Sequence, residues 1–424
     1  LAKDQPTAFA LRHLKWNIAL FYAEVSVFFA GFACFDSTTV LPVLLARLGA
    51  SDLLIGFVRA IQMFGFTLPA LAGSHYVHGR PHHKRFLVIT CALSRIGLPT
   101  LVPAFLLYGE SRPNLVLSWF CVVYLLFWLF DGTAAVSWYD IMAKSIPPRL
   151  RGAFLGGMQM LLGLVAMGAG YAVTRILGPG GPPFPQNFAL LAALWSAGAW
   201  ISQIGILFLR EPPGMVDPAE EKSSLIDFLR AAPAMLRRNP PLVRLIIIRF
   251  LLEGSQLALP FYILFAQRNL HLPVSLVGVY FIVQSLGKVC MGPVWGWISS
   301  RYGAGVCLQA VAMATTLIPA MALFAAGGYP GVMPVAFFLI GGVQDGIWIA
   351  AYNFLFATVD ERDRPMALGI APLALAFGSI YGPIGGQLAE VSSYPVIFTL
   401  ALAVTGMGTL LAHQLPKTSQ TGQV

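Results

Sequence analysis

In this chain of 424 residues 57% are hydrophobic and 11% charged, with a mean hydropathy of +0.73, whereas about a quarter of the residues of a soluble globular protein carry charge. That balance excludes a soluble enzyme or binding module and places the chain in a bilayer as an all-α polytopic membrane protein. The formal net charge of +9 is not a nucleic-acid footprint, because the basic residues sit in short loops between apolar runs, where they act as a topology signal.

In chain order the sequence predicts twelve apolar helices of about 20 or more residues, each long enough to cross a hydrocarbon core of about 30 Å. The first six are Lys15–Leu45, Asp52–Tyr76, Phe86–Tyr108, Leu115–Ile146, Ala153–Leu177 and Asn187–Leu209. The second six are Pro241–Ala266, Pro273–Ser299, Ala304–Ala326, Tyr329–Val359, Met366–Val391 and Tyr394–Gln414. We number them spans 1 to 12. The first run is too long for the core of a cleavable signal peptide and lacks a small-residue cleavage site, so it reads as a span. Cys34, Cys91, Cys121, Cys290 and Cys307 all fall in apolar runs without paired or metal-like spacing and read as small core residues.

The loops on one face carry Arg80, Lys84, Arg85, Arg149, Arg151, Arg237, Arg238, Arg362 and Arg364, against Arg47, Arg112 and Arg268 on the other. The positive-inside rule then puts both termini in the cytoplasm, for a multi-pass protein of the plasma or inner membrane. The arginines after spans 4 and 10 are expected to bind the last carbonyls of those helices. The cytoplasmic turn after span 2 holds His75, His78, His82 and His83, which read as a solvated basic loop rather than a metal site because no acid or cysteine joins them in sequence.

The chain is internally duplicated. Phe130 to Gly157 reads FDGTAAVSWYDIMAKSIPPRLRGAFLGG, and a weaker copy, QDGIWIAAYNFLFATVDERDRPMALG, runs from Gln344 to Gly369. Asp131-Gly132 recurs as Asp345-Gly346, Arg149 and Arg151 as Arg362 and Arg364, and Gly156 as Gly369. Spans 2 and 8 repeat the pattern, pairing Gly56 with Gly278, Gln62 with Gln284 and Gly65 with Gly287. The expected organisation is an N-terminal six-helix half, 1–210, a cytoplasmic linker with an amphipathic surface helix, 211–240, and a C-terminal six-helix half, 241–424. The halves would share one orientation about an axis along the membrane normal.

Over essentially its whole length the sequence resembles the major facilitator superfamily of secondary transporters. The resemblance rests on the twelve spans, the central loop ending in LRRNPPLVRL, the turn PPRLRGAFLG, and GSIYGPIGG in span 11. It implies two pseudo-symmetric six-helix halves and a cavity lined by spans 1, 4, 7 and 10. Departures from the family pattern are also legible: Tyr76 or Val77 stands where the acid between spans 2 and 3 belongs, Ser300 at its counterpart, and Trp128 at the span 4 arginine of drug/proton antiporters. Span 5 lacks the usual Gly-Pro. A standard multidrug antiporter is therefore disfavoured.

Charge at bilayer depth is costly and marks function. Asp36, Asp131, Glu253 and Asp345 lie one on each of the four spans that the resemblance assigns to the cavity. Arg59, Arg95, Arg249 and Lys288 are their available counterions, Arg249 and Glu253 being four residues apart on one helical face. Glu24 is a further coupling candidate, Asp140 and Lys144 a gate-level pair, and Trp138, Trp348 and Tyr352 flat cavity surfaces for an amphipathic solute. Desolvation favours the neutral form of an unpaired carboxylic acid, so protonation could alternate with substrate binding. Asp131 and Asp345, each before a glycine near mid-span, are the acids expected to couple transport to protons. The glycines of spans 5 and 11 should allow close helix approach between or beside the halves, and bulk at Gly382 should slow transport and spare folding.

The sequence thus predicts a secondary transporter of a small amphipathic organic solute, working by alternating access and coupled to protons. It would be a monomer in the lipid bilayer, without cofactor, metal or nucleic-acid partner. An organic-anion or lipid transporter using the intramembrane Arg and Lys, and a non-transporting assembly factor or sensor of the same fold, are the alternatives. No nucleophile elbow, zinc-ligand motif or phosphate loop stands out, so no enzyme is expected.

Overall fold

The computed structural model describes residues 5–77, 80, 82–213, 225–359, 367, 370–371 and 373–415. All of the regular structure among them is helical. Ten stretches are long and apolar enough to cross a membrane. Spans 7 and 11 complete the twelve. Span 7 is interrupted by a 3-10 turn, Glu253–Leu257, between Pro240–Leu252 and Phe261–Arg268. Span 11 is seen as Leu373–Gly378 and Tyr381–Val391.

Local chemistry accounts for the breaks. Span 1 runs as Leu14–Phe32, turns through Ala33–Phe35, and restarts as Val40–Arg47. The restart follows an acid and three hydroxylated residues, Asp36 to Thr39, whose side chains compete for backbone hydrogen bonds. Span 7 breaks at the matching depth of its own half, in Glu253-Gly254-Ser255-Gln256. Span 3 is divided into Lys84–Arg95 and Leu98–Tyr108 because Pro99 has no N–H to offer the Arg95 carbonyl four residues back and its ring crowds that carbonyl. The linker contains a helix, Leu225–Arg238.

The helices gather into two compact units. The first holds the described residues of 1–50, 61–222 and 274–279; the second holds those of 51–60, 223–273 and 280–424. The units follow the two halves of the sequence except that the opening turns of spans 2 and 8 are exchanged. The reason is close backbone approach at glycine. In the second unit, a Cβ on Gly382 of span 11 would lie 2.6 Å from the carbonyl oxygen of Gly56 in span 2. In the first, a Cβ on Gly278 of span 8 would lie 2.5 Å from the carbonyl oxygen of Gly170 in span 5.

Each unit has its own core. Phe35, Phe120, Phe127 and Trp195 are fully buried in the first, with Trp195 edge-on to Phe127 at 5.1 Å. Tyr262 stacks on Phe398 at 5.1 Å in the second. Large apolar side chains such as Leu107, Ile201, Phe208 and Leu410 face outward. On a soluble protein such a surface would drive aggregation; in hydrocarbon it is the expected exterior. The chain is a multi-pass integral membrane protein.

Candidate functional site

In the first unit, spans 1, 3, 4 and 6 bring together a polar network within an otherwise apolar interior. Glu24 of span 1 is 6% exposed and accepts hydrogen bonds from Ser202 Oγ at 2.8 Å and from Trp138 Nε1 at 3.2 Å. Arg95, 2% exposed, donates to Ser202 Oγ at 3.2 Å and to Gln203 Oε1 at 2.7 Å, and its guanidinium lies 5.5 Å from the Phe28 ring centroid. Gln203 in turn donates to the Val88 carbonyl at 3.0 Å. Ser202 Oγ thus links the Arg95 guanidinium to the Glu24 carboxylate, accepting from the one and donating to the other. Arg95 reaches this position because it ends the first segment of span 3, where the kink before Leu98 begins.

Asp36 is held by its own turn. Its Oδ1 accepts from the backbone N–H groups of Thr38 and Thr39, both at 2.9 Å, and from their hydroxyls at 2.5 and 2.9 Å. Such a carboxylate ties off the N–H groups of the turn that leads into Val40–Arg47.

The second unit has its own network. The Arg249–Glu253 pair expected from the four-residue spacing forms at 3.5 Å, with both side chains buried. Gln256 Nε2 donates to Glu253 Oε2 at 3.2 Å, and Arg59 Nε donates to Gln256 Oε1 at 3.1 Å. The Arg249 guanidinium lies 5.2 Å from the Trp348 ring centroid. Trp348 and Tyr352, one helical turn apart, stack at 5.5 Å with 14° between their planes. These two rings line a recess with Arg249, Ala351, Ala371 and Leu375. Four of the residues singled out in the sequence, Arg249, Glu253, Trp348 and Tyr352, are thus neighbours in space. Lys288 is half-buried on span 8. The side chain of Asp345 lies outside the described residues.

Where spans 3, 4 and 6 end together a third cluster forms. Asp140 pairs with Lys144 at 2.5 Å and with His83 Nε2 at 3.1 Å, and Lys144 Nζ is 2.9 Å from His83 Nε2. Glu211 accepts the backbone N–H groups of His83 and Lys84 at 2.7 and 2.8 Å, capping span 3. The Asp140–Lys144 pair was legible from spacing; the solvated reading of the histidine turn does not hold for His83, which is buried. His83, Asp140 and Glu211 could hold a metal ion by the spacing of their ligand atoms. The Lys144 ammonium, within 3 Å of two of them, already supplies the positive charge. Beyond span 4, Arg151 donates to the carbonyls of Ile146 at 3.0 Å and Ala143 at 2.5 Å, binding the end of that helix. His75, His78, Arg149, Arg362 and Arg364 lie outside the described side chains.

Sequence reasoning missed Ser202, Gln203, Gln256 and Glu211. Ser202-Gln203 is an adjacent polar pair deep in span 6, a signal that could have been read; Glu211 gave none, since nothing local links it to a histidine turn far earlier in the chain.

Duplicated six-span halves with polar networks at the broken spans define a polytopic helical membrane protein. Residues 245–422 match the family model of the Major Facilitator Superfamily. The chain is similar to the solved structure of a mutant of nucleoside transporter NupG, with 14% identity and a TM-score of 0.74 over 94% of this chain and 99% of that one. It is likewise similar to a D-xylose-proton symporter, at 12% identity and TM-score 0.67 over 95% and 98%. A third similar structure is a POT family transporter in complex with 5-aminolevulinic acid, at 11% identity and TM-score 0.69 over 93% and 96%. No curated protein matches the sequence. At such identities the likeness is one of fold.

Proposed function

We propose that the protein is a proton-coupled secondary transporter that moves a small organic solute with an apolar body across the membrane, its termini in the cytoplasm. The observation that carries the reading is a buried acid, Glu24, linked through Ser202 Oγ to a buried guanidinium, Arg95, with a second acid, Asp131, on span 4 of the same unit. With both acids ionised this group would hold an uncompensated negative charge at bilayer depth, which is expensive. A proton is the smallest compensation, and its exchange gives the site two charge states. Trp138 connects the same group to span 4 by its bond to Glu24, so a change at the acids is felt on a second helix. The fold's similarity to a D-xylose-proton symporter and to other transporters agrees with this reading. Asp345 remains the candidate acid of the second half by its place in the duplication.

The test uses purified protein in liposomes that enclose a pH-sensitive dye. Solutes are those that raise the thermal midpoint in a screen of metabolites at two pH values. Wild-type protein should couple solute uptake to proton movement. Glu24→Gln and Asp131→Asn should each lower gradient-driven uptake by about tenfold or more, the range in which loss of a proton-transfer group is felt. Wild-type flux and pH dependence in both variants would sink the acidic mechanism.

A further inference from the structure

We propose that Arg249 is the anion anchor of the substrate site, and that the solute is a carboxylate borne on a flat, partly apolar body. The inference rests on the transport reading and names the chemistry that its site selects.

A guanidinium has five N–H donors and no acceptor, and it stays charged in proteins. Arg249 is 5% exposed, so those donors cannot be left to bulk water. Its contact to Glu253 runs from Nη2 at 3.5 Å, longer than the 2.7–2.9 Å usual for a charge-assisted bond. Nη1 is buried and has no hydrogen-bond partner. The guanidinium carbon lies 5.2 Å from the Trp348 ring centroid, and the donor left for an oxyanion is Nη1. Glu253 does not compete strongly for that donor, because its other oxygen is held by Gln256.

The recess beside Arg249 has the complementary half of the recognition. Trp348 and Tyr352 form one nearly continuous flat wall, and Ala351, Ala371 and Leu375 are small or apolar. Among the described residues that line the recess none carries negative charge, Glu253 lying behind Arg249 as its ion-pair partner. A carboxylate on Arg249 Nη1 would place an attached ring against the two aromatic faces. A planar carboxylate matches one free donor better than a tetrahedral phosphate, which spreads its charge over three oxygens.

The test measures binding by calorimetry and thermal shift on the full-length purified protein with matched probes: indole-3-acetate against indole-3-acetamide, benzoate against benzamide, then phenyl phosphate and benzylamine. The carboxylates should bind about tenfold or more tightly than their amides, the size expected of one desolvated ionic hydrogen bond. The preference should vanish in Arg249→Gln. Since that change alone strands Glu253, the charge-balanced Arg249→Gln/Glu253→Gln variant is measured beside it and should lose the preference equally. Trp348→Leu should weaken indole-3-acetate more than acetate. Equal binding of acid and amide, binding of none of the acids, a preference that survives the double variant, tighter binding of benzylamine, or phenyl phosphate binding as well as benzoate would each overturn the assignment. Proton-coupled flux of a non-acidic solute that persists in the double variant would leave the transport reading standing while removing this one. Carboxylate binding that depends on Arg249 without any flux would do the reverse.

Discussion

Arg95 is nearly inaccessible to solvent, yet all of its described partners but the Phe28 ring are neutral polar groups: Ser202 and Gln203 stand between it and the rest of the chain. A buried cation of this kind orders its surroundings by charge as much as by contact. Replacing it by glutamine keeps shape and some hydrogen bonding but leaves Glu24 without the cation that Ser202 links to it. We expect Arg95→Gln to destabilise the protein by about 3–5 kcal/mol, the cost of breaking a buried ionic group from one side. Adding Glu24→Gln should recover a large part of that loss. Thermal denaturation in one detergent checks it, and a double variant no more stable than Arg95→Gln alone would show that the two charges are not coupled.

Helix packing in the second unit is set by glycine at the contact points of span 11. Gly378 lies against the Glu253 side chain and Gly385 against the Leu257 backbone, both in the broken part of span 7, while Gly382 and Gly386 lie against the opening turns of span 2. Gly382 and Gly386, four apart, share one face of Tyr381–Val391 and Gly385 lies off it, so two faces of this segment serve two partners. The glycine pattern alone led to the expectation that bulk at Gly382 slows transport and spares folding. With a Cβ only 2.6 Å from the Gly56 carbonyl oxygen, even alanine must displace a helix, so the effect reaches stability as well. Gly382→Ala should cost about 1–3 kcal/mol by overpacking. Gly156→Ala, where a Cβ meets nothing within 4 Å, should be neutral or stabilising. Indistinguishable thermal midpoints for the two alanine variants would refute the contact.

For the molecule as a whole, the cluster of His83, Asp140, Lys144 and Glu211 predicts how stability follows pH. Burial first, and Lys144 next, hold the pKa of His83 below its ordinary value of 6.5, with Asp140 and Glu211 pulling the other way. Among the described residues, Lys144 and Asp140 face it from span 4 and Glu211 from beyond span 6, while His82 adds a further repulsion from its own turn. A histidine whose pKa is depressed by folding binds its proton more readily in the unfolded chain. Its contribution to stability is therefore complete above pH ~6.5 and is lost as pH falls through the folded-state value. Thermal stability should fall on acidification from neutral pH, and His83→Gln should flatten that slope. A slope unchanged in His83→Gln would assign the effect to other groups.

The sequence by itself determined the bilayer, the twelve spans, the duplication and the Arg249–Glu253 pair. Each follows from local physics. Hydrocarbon leaves a long apolar run little choice but a helix, and a four-residue spacing puts two side chains on one face of it. Only the tertiary structure decided that Glu24, more than Asp36, is gathered with Arg95, that Asp36 serves the turn it begins, and that His83 is buried against Asp140. The bonds of Glu24 to Ser202 and Trp138 and of Arg95 to Gln203 join spans 1, 3, 4 and 6 across more than a hundred residues of chain. Which polar side chains meet there depends on kinks, on glycine contacts and on the rotation of each helix about its axis, and none of these leaves a mark in the hydropathy of a single span.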